Sequence, residues 1–124
     1  MAYFSNSKFD KLFVARASLA DGSHKRISIE SQMASMVNAM VENYARHPFY
    51  ARYPEAFRQD MTQEGVIAIW TKVDGFDRTK GTNYFAYFTS VARNAFIGQL
   101  REYYKSKNKS IPLEVMENFL AEDE

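Results

Sequence analysis

Between residues 84 and 105 the chain carries side chains suited to holding unpaired bases. Read as a helix, Tyr84, Tyr87, Val91, Asn94 and Arg101 recur at steps of three, four and seven, so they share one face, with Arg93 at its edge. A tyrosine ring stacks on an unpaired base with about 1–3 kcal/mol. An asparagine amide can make two hydrogen bonds to a base edge, and guanidinium groups take bases or phosphates. Rings, amide and guanidinium on one face fit single-stranded or melted DNA better than closed duplex. A surface pair of tyrosines by itself is more often unremarkable, and the basic flank around these two adds the weight. The remaining rings of the segment need no functional account: Phe85, Phe88, Ala92, Phe96, Leu100 and Tyr103 form an apolar stripe at helical spacing.

Charge is segregated along the chain. Net charge is only +1, yet Arg78 to Ser110 holds seven basic residues and one acid, Glu102, while the last fourteen residues hold five acids and no base. A basic block beside an acidic end suits a protein that meets a polyanion with one part and another partner with the other. A solvated surface with a disordered acidic end would give the same count.

Other chemistries are poorly supported. Cysteine is absent, and His24 and His47 lie far apart with no carboxylate spacing around them, so neither a thiolate nor a histidine metal site is expected. No paired carboxylates flank a histidine and no glycine-rich phosphate loop is present, so the chain reads as a non-enzyme without a cofactor. No segment approaches the roughly 18 apolar residues of a membrane-spanning helix.

The elements that must position these residues are helical throughout. With 124 residues the chain suits one domain. Residues 1–26 show weak periodicity and read as loosely organised. Ile29, Met33, Met36, Val37, Met40, Val41 and Tyr44 predict a helix over residues 29–46, with Ser28 as its cap. Pro48 and Pro54 interrupt it, and a second helix is predicted over 55–74. There Phe57, Met61, Ile69 and Val73 face a core, while Asp60, Gln63, Ile67 and Trp70 form a second stripe that needs a second neighbour. Gly65, mid-helix, signals close packing at that point. A third helix is predicted over 84–105, capped by Thr82 or Asn83. The fold class is all-α: a small helical domain of three main helices over residues 27–109, followed by an amphipathic tail over 110–124.

Residues 60–96, DMTQEGVIAIWTKVDGFDRTKGTNYFAYFTSVARNAF, resemble the second conserved region of bacterial sigma factors. In that region an Asp-x-x-Gln-Glu-Gly helix leads through a Phe-Asp/Glu-x-x-x-Gly turn into an aromatic-rich helix. The FDRTKGTNYFAYFT turn and the NAFIGQLREYYKSK ending are most similar to the small late-transcription sigma factors of T-even-type bacteriophages. The resemblance covers residues 27–109.

That resemblance implies a partner for each face. In the family the acid-amide helix docks on the clamp helices of the largest subunit of the host RNA polymerase core; the matching positions are Asp60, Gln63, Glu64, Val66 and Trp70. For Trp70, composition and spacing alone favour an ordinary core residue. In the next helix, family aromatics stack on bases flipped from the minus-ten element, matching Tyr84 and Tyr87, and polar residues read its upstream edge, matching Arg93, Asn94 and Ile97. Arg101 and Lys105, with the lysines that follow, supply phosphate contacts. Primary sigma factors carry two tryptophans where this sequence has Ser90 and Val91, which argues against promoter melting without help. No segment reads a minus-thirty-five element, so an extended A·T-rich minus-ten element is the expected target, whose TA steps unstack readily. The phage relatives act with a co-activator and a DNA sliding clamp, in the cytoplasm of the infected bacterial host.

In the tail, Leu113, Met116, Phe119 and Leu120 lie among acids and read as a docking segment for a sliding clamp or the polymerase flap. The same residues could form a short fourth helix packed back on the domain, but the five acids favour the docking reading. Two other functions compete with a promoter-reading sigma factor. One is a polymerase-binding regulator that docks on the clamp helices without reading DNA. The other is a helix-turn-helix duplex binder, which needs no aromatic-rich helix start.

Overall fold

The computed structural model describes residues 4–122, with side chains described up to residue 118. It contains five α-helices: α1 Asn6–Ala17, α2 His24–Ala45, α3 Glu55–Lys72, α4 Tyr84–Lys105 and α5 Leu113–Glu122. Short 3-10 turns occupy Pro48–Arg52, Val73–Gly75 and Arg78–Lys80 between them. Among the described residues there is no strand, and no helix is long and apolar enough to cross a membrane.

The helix starts follow local chemistry. Asn83 caps α4 by accepting from the Ala86 amide at 3.2 Å. Helix α2 begins at His24, ahead of the expected residue 29, because Ser23 and not Ser28 is its cap, accepting from the Arg26 amide at 3.2 Å. Arg26 reinforces that start by donating to the Leu19 carbonyl at 2.8 Å. Pro54, whose missing N–H costs nothing at a helix start, stands at the entry of α3.

The core lies between α2, α3 and α4. It is built from Met33, Val37, Met40 and Val41 of α2, Met61 and Ile69 of α3, and Phe88, Ala92, Phe96 and Leu100 of α4. The closest approach is at Gly65: a Cβ there would sit 2.9 Å from the Phe96 ring and 3.0 Å from a Val41 methyl. The expected close packing is therefore found, and it is what lets α3 lie flat on α4.

Of the segment expected to be loosely organised, residues 1–26, the described part departs from that expectation, since α1 occupies Asn6–Ala17 and puts Phe9 fully into the core. Phe9 and Phe13 are one turn apart, and apart from Phe4, which stacks on Phe9, their ring partners lie far along the chain. Phe9 packs against Phe88 and Tyr84, with ring centroids 5.2 and 4.9 Å away. A helix of this length is marginal alone, so tertiary contacts hold it. Asn6 takes part in capping α4, accepting from the Phe85 amide at 2.8 Å and donating to Asn83 Oδ1 at 3.1 Å.

The tail forms α5 and packs back on the domain through Val115, which is fully buried. Arg52 and Glu114 form an ion pair at 3.3 Å that fixes its start. Leu113 points outward at 73% exposure, Met116 is half-buried, and the side chains of Phe119 and Leu120 lie outside the described residues.

Candidate functional site

Helix α4 presents one open stripe. Asn94, Arg101 and Lys105 are exposed and Tyr87 is half-buried; Tyr87, Asn94 and Arg101 are spaced by seven, two helical turns, and so stand in line. Tyr87 rests edge-on against Phe76, with centroids 5.4 Å apart, so its ring is steadied from behind. Arg93 and Ile97 are half-buried on the flank of the stripe, and Ile97 leans on the core.

Tyr84 is not part of that stripe. It is fully buried, stacked on Phe76 with centroids 4.0 Å apart and planes 22° apart, and walled in by Phe9 and Phe13. Its role as a surface stacking platform is corrected on this geometry: α1, which periodicity within α4 could not reveal, covers it. Its hydroxyl donates to Asp10 at 2.6 Å, and burial together with that carboxylate pushes the hydroxyl's pKa well up. Arg78 grips the same carboxylate through two hydrogen bonds, 2.7 and 2.9 Å. The Arg78 bond first, and the Tyr84 bond second, hold the Asp10 carboxyl down to about 2.

Two other assignments on α4 exchange sides. Val91, expected outward, is buried at 7% exposure, and Phe85, expected in the core, is 38% exposed. Tyr103 is only half-buried, with its ring against Phe57 at 4.7 Å and the Lys107 ammonium 5.0 Å above it. With Val91 inside and Ser90 half-buried, the stretch offers no aromatic wedge.

A second open surface runs along α3. Asp60, Gln63 and Glu64 are exposed, while Val66 and Trp70 are half-buried. Gln63 and Val66 line a groove of about 720 Å³ against α2, shared with Asn38, Glu42 and Arg58. It continues into a smaller, apolar groove of about 320 Å³ lined by Val37, Val66, Ile67 and Trp70. Trp70 belongs to this groove wall as much as to the core; the Arg16 guanidinium stands 5.7 Å from its ring on the other side. Ile67, at 50% exposure, is the most prominent apolar side chain here. Its place in the second stripe of α3 marked it, although the family motif did not.

The roles of Asp10 and Arg78 were not legible from sequence. Neither lies in a periodic pattern, and they are 68 residues apart. The third open surface, at the α4–α5 junction, is lined by Arg101, Lys109, Ser110, Ile111 and Met116. Among the described residues no group of three or more His, Asp or Glu side chains is arranged to hold a metal ion.

The Sigma-70 region 2 family model matches residues 37–105, more than half of the 124-residue chain. No curated protein and no solved structure matches the chain. The match takes in the last nine residues of α2, all of α3 and all of α4, and with them the open surfaces of α3 and α4.

Proposed function

The chain belongs to the Sigma-70 region 2 family, and from that membership we propose that it is a bacteriophage-encoded sigma factor that directs a host RNA polymerase to late promoters. The family implies binding to RNA polymerase core and to promoter DNA. Beyond that, our reading assigns the α3 surface, with Asp60, Gln63, Glu64, Val66 and Trp70, to the clamp helices of the largest polymerase subunit. It assigns the α4 stripe, with Tyr87, Asn94, Arg101 and Lys105 and with Arg93 and Ile97 on its flank, to a melted A·T-rich minus-ten element. Tyr87 stacks on an unpaired base, Asn94 pairs with a base edge, and the cations hold phosphates. Tyr84 acts indirectly, by anchoring the start of the helix that carries the others.

The observation that carries this reading is the way α3 and α4 pack. They meet closely at Gly65, and each is left with an open polar face of its own. A protein that joins polymerase to DNA needs two such faces on one rigid unit. A sliding clamp or the polymerase flap is the proposed partner of the exposed Leu113 end of α5, a co-activator supplies the melting that the missing tryptophans do not, and the setting is the cytoplasm of an infected bacterium.

The test is transcription by host core polymerase with this protein alone, on supercoiled and linear templates carrying TATA-rich minus-ten sequences. Specific starts that vanish with Tyr87→Ala support the assignment. A second reading, a polymerase-binding regulator that does not read DNA, gains from the burial of Tyr84, which leaves one platform ring where two were expected. Tight core binding with no start on any template, even with added co-activator and clamp, would establish it instead.

A further inference from the structure

Gly98 stands in the middle of the α4 stripe, and nothing inside the protein requires a glycine there. A Cβ built on it meets no atom within 4 Å, whereas at Gly65 it would press on Phe96 and Val41. Glycine in a helix interior weakens the helix relative to alanine, so at position 98 the fold bears that cost without gaining any closer packing.

Its surroundings point outward. Asn94 precedes it by four residues and Arg101 follows by three, so both border it on the helix surface, and Lys105 lies one turn beyond Arg101 on the same side. All three are exposed, and none makes a side-chain hydrogen bond or ion pair with another described residue. Along α4, Glu102 is the only acid within a turn of Gly98. A bare stretch of helix main chain framed by an unengaged amide and two unengaged cations is a surface for a polyanion at close range.

We infer that the sugar–phosphate backbone of promoter DNA crosses α4 at Gly98. It lies against the main chain where any side chain would hold it off, with Arg101 and Lys105 on flanking phosphates and Asn94 on the adjoining nucleotide. This rests on the sigma-factor reading above and adds a steric element to it: the missing side chain sets how deeply the strand seats, and therefore whether Tyr87 reaches its base.

The test compares Gly98→Ala and Gly98→Leu with Tyr87→Ala and Arg101→Ala, each assembled with polymerase core. Binding is measured to a fork-junction promoter probe, to closed duplex and to the single non-template strand. Both Gly98 variants should melt at or above the wild-type temperature and bind core normally. Probe affinity should fall about threefold for alanine and tenfold or more for leucine, since each tenfold step needs only a modest loss of contact. A loss on the single strand identifies the melted strand as the one that crosses, and a loss on duplex alone identifies the upstream duplex; either supports the inference. Unchanged probe affinity for Gly98→Leu with loss for Tyr87→Ala overturns it and leaves the sigma reading intact. Loss of core binding in Gly98→Leu also overturns it, making this face a protein contact. If wild type and all four variants are alike on every probe, or wild type binds none, both readings fall.

Discussion

The Tyr84 hydroxyl donates to Asp10 at 2.6 Å, across 74 residues of sequence. Because Arg78 holds the other side of that carboxylate, α1, the turn before α4 and the first residue of α4 converge on a single carboxylate. The ring that resembled a DNA platform is thereby the structural anchor of the helix that bears the proposed DNA face.

Stability should therefore respond to acid through Asp10. Its folded carboxyl is held at about 2, below the value of about 3.9 for an unfolded aspartate. The contribution is complete above the unfolded value and drains away as pH falls toward 2. The melting temperature of wild type should fall more steeply over that acid range than that of Asp10→Asn, which starts a few degrees lower at neutral pH. Parallel acid curves for the two proteins would show that the carboxylate contributes nothing.

Tyr84 and Tyr87 should separate cleanly. Tyr84→Ala empties a fully buried ring site and should cost about 3 kcal/mol of stability. Tyr87→Ala, half-exposed, should cost about 1 kcal/mol or less while impairing open-complex formation, read as lost permanganate reactivity in the minus-ten region. Thermal melts and footprinting on the same preparations decide this.

Gly65→Ala should destabilise the fold by about 1 kcal/mol. The gain in helix propensity is about 1 kcal/mol, but the new methyl meets Phe96 at 2.9 Å and Val41 at 3.0 Å. Overpacking of that kind costs about 1–3 kcal/mol, which outweighs the gain. Chemical denaturation measures the sign directly, and a stabilised variant would mean that the Phe96 ring yields freely.

On α3, Ile67→Lys should leave the melting temperature nearly unchanged, because the side chain is half exposed. Affinity for polymerase core should drop about tenfold or more, as expected when a charge enters an apolar interface centre. Co-sedimentation or fluorescence titration with core polymerase reads the effect; unaltered binding would move the docking surface off this groove.

The α4 cations should appear in salt dependence. Replacing Arg101 or Lys105 by alanine should each reduce the slope of log affinity against log salt by about one, if each neutralises one phosphate. Titrations of the polymerase complex on promoter probe over a range of potassium concentrations give that slope.

The sequence made α3 and α4 legible because their signals are local. Asn83 and the start at Tyr84 were expected and found, as was the packing at Gly65. Periodicity places Phe88, Ala92, Phe96 and Leu100 of α4 inside, as found; what it could not show was the side taken by Tyr84, Phe85 and Val91. Five of its six buried residues, Tyr84, Phe88, Ala92, Phe96 and Leu100, advance by four, so the buried stripe winds by about 40° at each step, with Val91 buried beside it. A fixed-face reading therefore misplaces residues at the start, where Tyr84 is buried and Phe85 exposed, and also Val91 in the middle. Helix α1 was missed because Phe9 and Phe13 acquire meaning only beside Phe76 and Tyr84, far along the chain. Ser23 was passed over as the α2 cap because the apolar periodicity sharpens only later, at Ile29.

The shared cap of Asn6 and Asn83 spans 77 residues of sequence, and that separation matters while the chain is being made. At synthesis rates of about 5–20 residues per second, α1 leaves the ribosome about 4–15 s before its cap partner does. During that interval Phe9 and Phe13 have no ring from α4 to rest on. Helix α1 can meanwhile lie against α2, but its ring contacts with α4 and the shared cap close only once α4 has emerged.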